Sequence, residues 1–347
     1  MIGLRRKYFG AANSFRGFIS CFDKIFDSRK FDRVYVIKGG PGTGKSSLMK
    51  AVVKKYANTK CDIDEIYCSS DPKSLDGLII SANNRKIALI DGTAPHQRDA
   101  VYPTVTDKII NLADNLDEEE LKPYRDRIIE LSENKGNCYS KAYSYLRLSG
   151  SADEYIIKEY KSKFQKDRIK FEADSILPLF GKLDPGNGYS LITTSFGKDG
   201  QYTLANNIST EKTIKVGGNI YSSRLILNEI RNILQGLGVG FTEHIFPLDP
   251  CYPKSILLKN NYLIYHSTDD PDIDSHSFFK NLDYILSSTS VADKIRQEAL
   301  AEAQNWFAEA SKHHFALEEI YGIAMNFEKN DEILQSLLVE SKNILEI

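Results

Sequence analysis

The strongest chemical pattern in this chain is a glycine-rich run over residues 39–46, which reads GGPGTGKS. Its spacing is that of a phosphate-binding loop, or Walker A motif: a glycine, four residues, then glycine, lysine and a hydroxyl residue. Glycines let the backbone approach phosphate oxygens closely, and the amide groups that begin the next helix supply positive potential. We expect Lys45 to reach the β- and γ-phosphates of a nucleotide and the Ser46 hydroxyl to bind Mg²⁺. The expected phosphate-binding residues are Gly39, Gly40, Pro41, Gly42, Thr43, Gly44, Lys45, Ser46 and Ser47.

An apolar strand that ends in an aspartate provides the second expected part of the site. Residues 87–91 read IALID, and in the Walker B pattern the carboxylate at the end of such a strand holds Mg²⁺, usually through water. We therefore expect Asp91 to be a metal ligand; the alternative is a turn or cap aspartate before Gly92. Many ATPases that couple hydrolysis to mechanical work carry glutamate where Gly92 stands, so a water-activating group must come from elsewhere.

Two further residues are candidates for catalysis beside Lys45 and Asp91. Asp71 follows a predicted strand and is either a catalytic base or a turn or cap residue. His96 lies shortly after Asp91 and is either a γ-phosphate sensor or water-orienting group, or a residue of a surface loop. The sequence leaves both pairs of alternatives open.

The chain repeats one plan, which indicates a duplication. Each half has a strand that ends in paired glycines, then a helix, then two more strands. In the first half these elements are predicted at 33–38, 46–57, 63–68 and 86–91. In the second half they are predicted at 213–218, 222–234, 243–248 and 262–266. The landmarks Asp-Pro and Asn-Asn recur as well, at 71–72 and 249–250 and at 83–84 and 260–261.

The second copy lacks the residues that would bind phosphate and metal. At the loop position, 217–224, it reads GGNIYSSR with no lysine after a glycine, and His266 stands at the position of Asp91. We expect that this half does not bind Mg-ATP in the standard way. Arg224 lies at the start of the following helix and is either an arginine finger for the first half's site or a solvent-exposed residue.

Strands that alternate with helices predict an α/β fold with mainly parallel sheets. The predicted domains are 1–184 and 185–347, because the run DPGNG at 184–188 is dense in turn-forming residues. Each domain ends in a helical segment, 105–176 or 277–346. The helices are predicted at 105–112, 117–148, 152–176, 277–286, 291–324 and 329–346. Short runs at 7–12 and 189–194 would add strands, and the half to which 189–194 belongs is open.

The motifs resemble those of the P-loop NTPase superfamily. The longer pattern resembles an uncharacterised bacterial family of tandem P-loop ATPases, through the stretches VYVIKGGPGTGKSSLMK, CSSDPKSLDG and IALIDGTAPH. The resemblance is close over the first half and loose over the second. It implies ATP binding and hydrolysis, and duplicated P-loop NTPase-like halves with three α/β/α layers. It implies neither a substrate nor a pathway, and the preference for ATP over GTP depends on it.

Composition narrows the class of protein. The 347 residues carry 45 basic and 47 acidic side chains, a balance that favours neither nucleic acid nor an anionic membrane as a partner. No apolar run reaches the roughly 18 residues of a membrane span. We expect a cytoplasmic protein, since there is no secretory signal pattern and the five cysteines form no CxxC pair.

Three functions are consistent with these patterns. The first is a Mg²⁺-dependent ATPase with one working site in the first half and a catalytically inactive second half. The second is a kinase for a small molecule or nucleotide, in which the segment 105–176 is a lid and Asp71 is the functional carboxylate. The third is a nucleotide-gated interaction protein whose helices bind a partner when ATP orders the loop. The partner, protein or small molecule, is left open by the sequence.

Overall fold

The computed structural model describes residues 3–204 and 210–347. Its strands, in chain order, are β1 (Arg5–Phe9), β2 (Ala11–Ser14), β3 (Gly17–Ser20), β4 (Arg33–Lys38), β5 (Asp62–Tyr67), β6 (Leu75–Ala82), β7 (Arg85–Asp91), β8 (Asp107–Asn111), β9 (Gly188–Leu191), β10 (Thr194–Gly197), β11 (Gly200–Thr203), β12 (Lys212–Val216), β13 (Phe241–Ile245), β14 (Pro253–Leu258) and β15 (Tyr262–His266). Its helices are α1 (Phe22–Ile25), α2 (Lys45–Tyr56), α3 (Glu118–Leu121), α4 (Arg125–Lys163), α5 (Lys166–Phe171), α6 (Ala173–Ile176), α7 (Ile220–Gly236), α8 (Leu282–Ile323) and α9 (Phe327–Leu345). The fold is therefore mixed α/β.

The first sheet is only partly parallel, which corrects the expectation of a mainly parallel sheet. Its strand order is β1-β5-β6-β7-β4-β8. β1 is parallel to β5, and β4 is parallel to β7 and β8, but β6 is antiparallel to both of its neighbours. The sequence pattern missed β6. It leads into β7 through Asn83 and Asn84, whose φ values of 49° and 61° form a two-residue hairpin turn that reverses the chain.

The second sheet repeats the strand arrangement of the first. Its order is β12-β15-β14-β13-β9, and β14 is again antiparallel to both neighbours. β9 is parallel to β13 and β12 to β15, as β1 is to β5 and β4 to β7. The predicted strand at 262–266 is confirmed, and the run at 189–194 contributes β9 to this sheet. A hairpin follows the edge strand in each half, β2–β3 in the first and β10–β11 in the second.

The segment 105–112 is not a helix, because it contains strand β8 beside β4. Ile109 and Ile110 are adjacent β-branched residues, which favour a strand. Ile110 is buried and Ile109 is about half exposed, at 49%. This alternation is the one that a strand requires and a helix does not.

Two long antiparallel helices, α4 and α8, lie against each other. Leu116, which precedes α3 and α4, forms a backbone bridge with Met325, which follows α8. At the opposite end, Phe164 after α4 bridges Phe279 before α8. The two helices therefore pack alongside each other in opposite directions.

The predicted interruptions of these helices are wrong, since α4 continues through 148–152 and α8 through 286–291. Small residues occur within α4 because neighbouring groups approach it closely. Ser149 Oγ donates to the backbone oxygen of Arg296 at 3.0 Å, and a Cβ at Gly150 would lie 2.6 Å from Phe15. Among the described residues, no helix combines the length and apolarity that crossing a membrane requires.

The last helices of each half cover the sheet of the other half. α9 packs on the first sheet, where Leu334 and Leu337 share one apolar core with residues of β4, β6 and β7. Ile169 of α5 and Ile176 of α6 belong to the core of the second sheet. The two predicted halves are thus interlocked by packing, and the end of the chain lies against the first sheet.

Candidate functional site

The glycine-rich loop connects β4 to α2, as the sequence predicts. Gly39, Gly42 and Gly44 have φ values of 148°, 74° and 86°, a region that favours glycine. Gly44 is the N-cap of α2 and, being glycine, has no side chain that could bond the first amide groups of the helix. Those amide groups therefore remain available to an anion.

The structure brings Lys45 and Asp91 together. β4 and β7 are parallel neighbours, so the loop that follows β4 and the aspartate that ends β7 lie at the same edge of the sheet. Lys45 Nζ lies 3.8 Å from Asp91 Oδ2. It also donates to the backbone oxygens of Gly39 at 2.7 Å and Gly40 at 2.8 Å. The two sequence motifs thus form one cluster of oppositely charged groups.

The two expected metal ligands have different surroundings. Ser46 Oγ accepts a hydrogen bond from the backbone amide of Leu75 at 2.9 Å. Asp91 accepts bonds from the amide and hydroxyl of Thr93. Burial raises the pKa of Asp91, and Lys45 opposes that rise. A hydroxyl and a buried carboxylate are hard oxygen donors of the kind Mg²⁺ prefers, so these residues fit the ion. Ser47, by contrast, is exposed on the first turn of α2.

Asp76 is a site residue that the sequence analysis missed. It lies at the start of β6, directly before Gly77, which pairs with Ile90 next to Asp91. Asp76 is buried, and its charge contributes to the raised pKa of Asp91. The available signal was an acidic residue at the edge of an apolar run, LDGLIIS at 75–81, but without β6 that run had no place in the sheet.

His96 is buried beside Asp76, so the surface-loop alternative is wrong. Its ring stacks on Phe22 with centroids 3.7 Å apart, and its Nε2 lies 3.3 Å from Asp76 Oδ2. Its Nδ1 is buried and has no hydrogen-bond partner among the residues that the structure describes. The imidazole is therefore fixed in orientation at the rim of the cluster of Lys45 and Asp91.

Asp71 forms a turn ahead of β6. Its carboxylate accepts from the backbone amide of Lys73 at 3.3 Å, and its backbone oxygen accepts from Ser74 at 2.9 Å. This is the bonding of a turn aspartate, which was one of its two predicted alternatives.

The end of α8 and the start of α9 lie directly against the loop. A Cβ at Gly42 would lie 2.5 Å from the backbone oxygen of Glu318, and one at Gly40 would lie 3.7 Å from the ring of Tyr321. Asn330 Nδ2 donates to the backbone oxygen of Thr43 at 3.0 Å in a buried bond. These contacts join residues more than 270 positions apart, which no local pattern in the sequence indicates.

A second lysine adds positive charge at the loop. Burial lowers the pKa of Lys135 on α4, and the charge of Lys45 lowers it further. Both lysines also help to lower the pKa of Glu318, after the hydrogen bond from His314. Two partly buried cations within electrostatic reach of each other favour an anionic ligand.

The corresponding loop of the second half is closed by its own side chains. Asn219 is the N-cap of α7, and its side chain accepts from the backbone amides of Tyr221 and Ser222. Those are the positions whose amides Gly44 leaves unbonded in the first half. Ser275 Oγ also donates to the backbone oxygen of Gly217. The backbone amides at the start of α7, which would otherwise be available to phosphate, are therefore already hydrogen-bonded.

Arg224 matches neither of its two predicted roles. It is 3% exposed, and its guanidinium donates to Asp153 of α4 at 2.7 Å. It is therefore not a solvent-exposed residue. Because its charge is paired with the buried carboxylate of Asp153, on helix α4 of the first half, it is not free to act as an arginine finger at the loop.

No family model, no curated protein and no solved structure matches the chain.

Proposed function

We propose that the chain is a Mg²⁺-dependent ATP-binding protein that hydrolyses ATP at one site in its first half. One observation carries the proposal: Lys45 Nζ lies 3.8 Å from Asp91, at a helix start whose amides carry no side-chain cap. A lysine, a carboxylate and free amides at the end of parallel strands are the parts that a nucleotide triphosphate and its metal require. The choice of ATP follows the resemblance of the motifs.

The proposed fold is a pair of P-loop NTPase-like halves with three layers each. The matching strand order and orientation in the two sheets support a duplication. The second half is proposed to be catalytically inactive, because Asn219 bonds the amides of its loop and His266 stands in place of the metal-binding aspartate.

In the proposed reaction, the residues of the first half bind phosphate and hold a water. Lys45 and the loop amides bind the β- and γ-phosphates, and Lys135 adds positive charge. Ser46 and Asp91 would hold Mg²⁺, which would neutralise phosphate charge when bound. Asp76 accepts the proton of the attacking water, and His96 Nε2, 3.3 Å from Asp76 Oδ2, helps to hold its orientation.

A second candidate function, nucleotide-gated binding of a partner, is favoured by the contacts of α8 and α9 with the loop. Asn330 and the backbone of Glu318 contact the loop. A change of loop conformation on binding nucleotide would therefore be transmitted to both α8 and α9. The kinase alternative has no such support, because the carboxylate of Asp71 accepts a hydrogen bond within a turn.

Calorimetric titration with a non-hydrolysable ATP analogue and Mg²⁺ tests the proposal. We expect one site per chain, loss of binding in Lys45→Ala, and unchanged binding in Lys50→Ala, an exposed lysine on the same helix. A parallel titration with the GTP analogue tests the choice of base. Two sites per chain, or equal binding by Lys45→Ala, would contradict the proposed single site.

A further inference from the structure

A cavity of about 460 Å³ is lined in part by residues of the second sheet. Helix α7 lines it with Ser223 and Leu227, and the hairpin β10–β11 lines it with Thr194 and Thr203. None of its described lining residues belongs to the loop 39–46 or to the strand that ends at Asp91. The cavity is therefore distinct from the candidate nucleotide site.

The floor of the cavity is a row of three paired residues on adjacent strands. His244 pairs with Ser255, and Ser255 pairs with Tyr265. Paired residues of antiparallel strands point to the same face of a sheet, and all three of these residues line the cavity.

The first sheet has the same row, composed of apolar residues. Ile66 pairs with Gly77, and Gly77 pairs with Ile90. These positions correspond to the row of the second sheet because the strands occupy the same places in the sheet order. The change from one half to the other therefore replaces isoleucine, glycine and isoleucine with histidine, serine and tyrosine.

An aromatic side chain covers the row in the first half. A Cβ at Gly77 would lie 2.3 Å from the ring of Phe26, which is fully buried. Phe26 comes from the segment 21–32 between the hairpin and β4. In the second half, the three residues of the corresponding row line the cavity instead.

His244, which lines the cavity, has one ring nitrogen without a hydrogen-bond partner among the described residues. The residue is 8% exposed, and its Nδ1 lies 2.8 Å from Ser255 Oγ. Its Nε2 is buried and has no partner among the described residues. Burial lowers the pKa of His244 to about 4, so the ring is neutral near pH 7. A buried polar atom without a partner costs free energy, which a polar ligand group can recover.

Lys254 provides a cation that lines the cavity, and no carboxylate among the described lining residues balances its charge. Its Nζ donates to the hydroxyls of Thr194 at 2.8 Å and Thr203 at 3.0 Å. The described residues that line the cavity include no aspartate or glutamate. Arg224 also lines it, but Asp153 neutralises that charge at 2.7 Å. Burial lowers the pKa of Lys254, as expected for an ammonium group with only uncharged partners.

We propose that this cavity binds a small molecule with one anionic group and an apolar body. Lys254 and the threonine hydroxyls hold the anionic group, and His244 Nε2 bonds a polar atom of the molecule. Leu227 and Leu263 contact the apolar body. A carboxylate and a phosphate monoester share this chemistry.

Calorimetric titration of the full chain with octanoate, n-octyl phosphate and 1-octanol tests the proposal. We expect one anion per chain, with affinity for the better anion roughly tenfold or more above that for 1-octanol. Whichever anion binds more tightly identifies the head group. Absence of binding by both anions at millimolar concentration, or equal binding of 1-octanol, would overturn the proposal.

Two variants test whether the anion binds in the cavity rather than elsewhere on the surface. Lys254→Met is expected to lose roughly tenfold or more in anion affinity, whereas Lys259→Met, which removes a lysine whose Nζ bonds the backbone oxygen of Pro185, retains it. Ser255→Leu narrows the cavity and is expected to abolish binding while circular dichroism shows a folded chain. Unchanged affinity in the folded Lys254→Met variant would overturn the assignment of this cavity.

Discussion

The imidazole Nε2 of His96 lies 3.3 Å from Oδ2 of Asp76, beside the carboxylate of Asp91. In the proposed reaction this pair takes the role that Gly92 cannot fill, because Asp76 provides a carboxylate within electrostatic reach of Asp91. The turn of Asn83 and Asn84 makes this arrangement possible, because it pairs β6 with β7 and so places Asp76 beside the end of β7.

Replacement of Asp76 tests the proposed proton acceptor. Asp76→Asn keeps the shape of the side chain but removes its basicity, so we expect kcat for ATP hydrolysis to fall by about 100-fold or more. Nucleotide affinity should change little, because Lys45 and the loop amides remain. Steady-state kinetics and analogue binding measure both quantities. The exposed Asp199→Asn is the control, and a kcat equal to the native value in Asp76→Asn would refute the assignment.

Replacement of Asn330 tests the contact between the last helix and the loop. Asn330→Ala leaves the buried backbone oxygen of Thr43 without its partner, at a cost of about 1–3 kcal/mol in unfolding free energy. We also expect weaker binding of the ATP analogue, because the loop loses a positioning bond. Urea unfolding and calorimetry measure the two effects. Asn343→Ala, on an exposed face of α9, should change neither, and equal behaviour of both variants would contradict the account.

The ion pair of Arg224 and Asp153 is expected to contribute to the stability of the fold rather than to catalysis. Arg224→Met leaves a buried carboxylate unpaired and should lower the free energy of unfolding by about 3–5 kcal/mol. The double variant Arg224→Met with Asp153→Leu should recover most of that loss, because neither position then holds a buried, unpaired charge. Urea unfolding of the two variants measures the difference. If kcat of folded Arg224→Met falls by orders of magnitude, the arginine acts on the nucleotide after all.

His244 makes stability depend on pH. Its pKa in the folded chain is about 4, against about 6.5 when unfolded, so the unfolded state binds the proton more readily. Stability is therefore unaffected above pH 6.5 and falls as pH drops from 6.5 towards 4, by up to about 3 kcal/mol from this group. Urea unfolding at pH 7 and 4.5 should show a smaller acid loss in His244→Gln than in the native chain. His266→Gln is the control, and identical acid losses in all three proteins would contradict this assignment.

Local patterns predicted the elements that carry the site. The strand at 33–38, the loop after it and the strand ending at Asp91 are where the sequence indicates, because short apolar runs and glycine spacing are local signals. The pairing partners were not predictable in this way. The role of Asp76 depends on the antiparallel strand β6, and the contact of Asn330 with the loop depends on α9 packing against the first sheet. The partner of Arg224, the buried Asp153, lies on a helix that is distant in the sequence.

Phosphate release from Mg-ATP by the purified chain tests the central claim most directly. We expect turnover by the native protein, a loss of roughly 100-fold or more in Lys45→Ala, and native turnover in Lys50→Ala. Such a result would establish hydrolysis at the site of Lys45 and Asp91. Phosphate release by Lys45→Ala at the native rate would contradict the account.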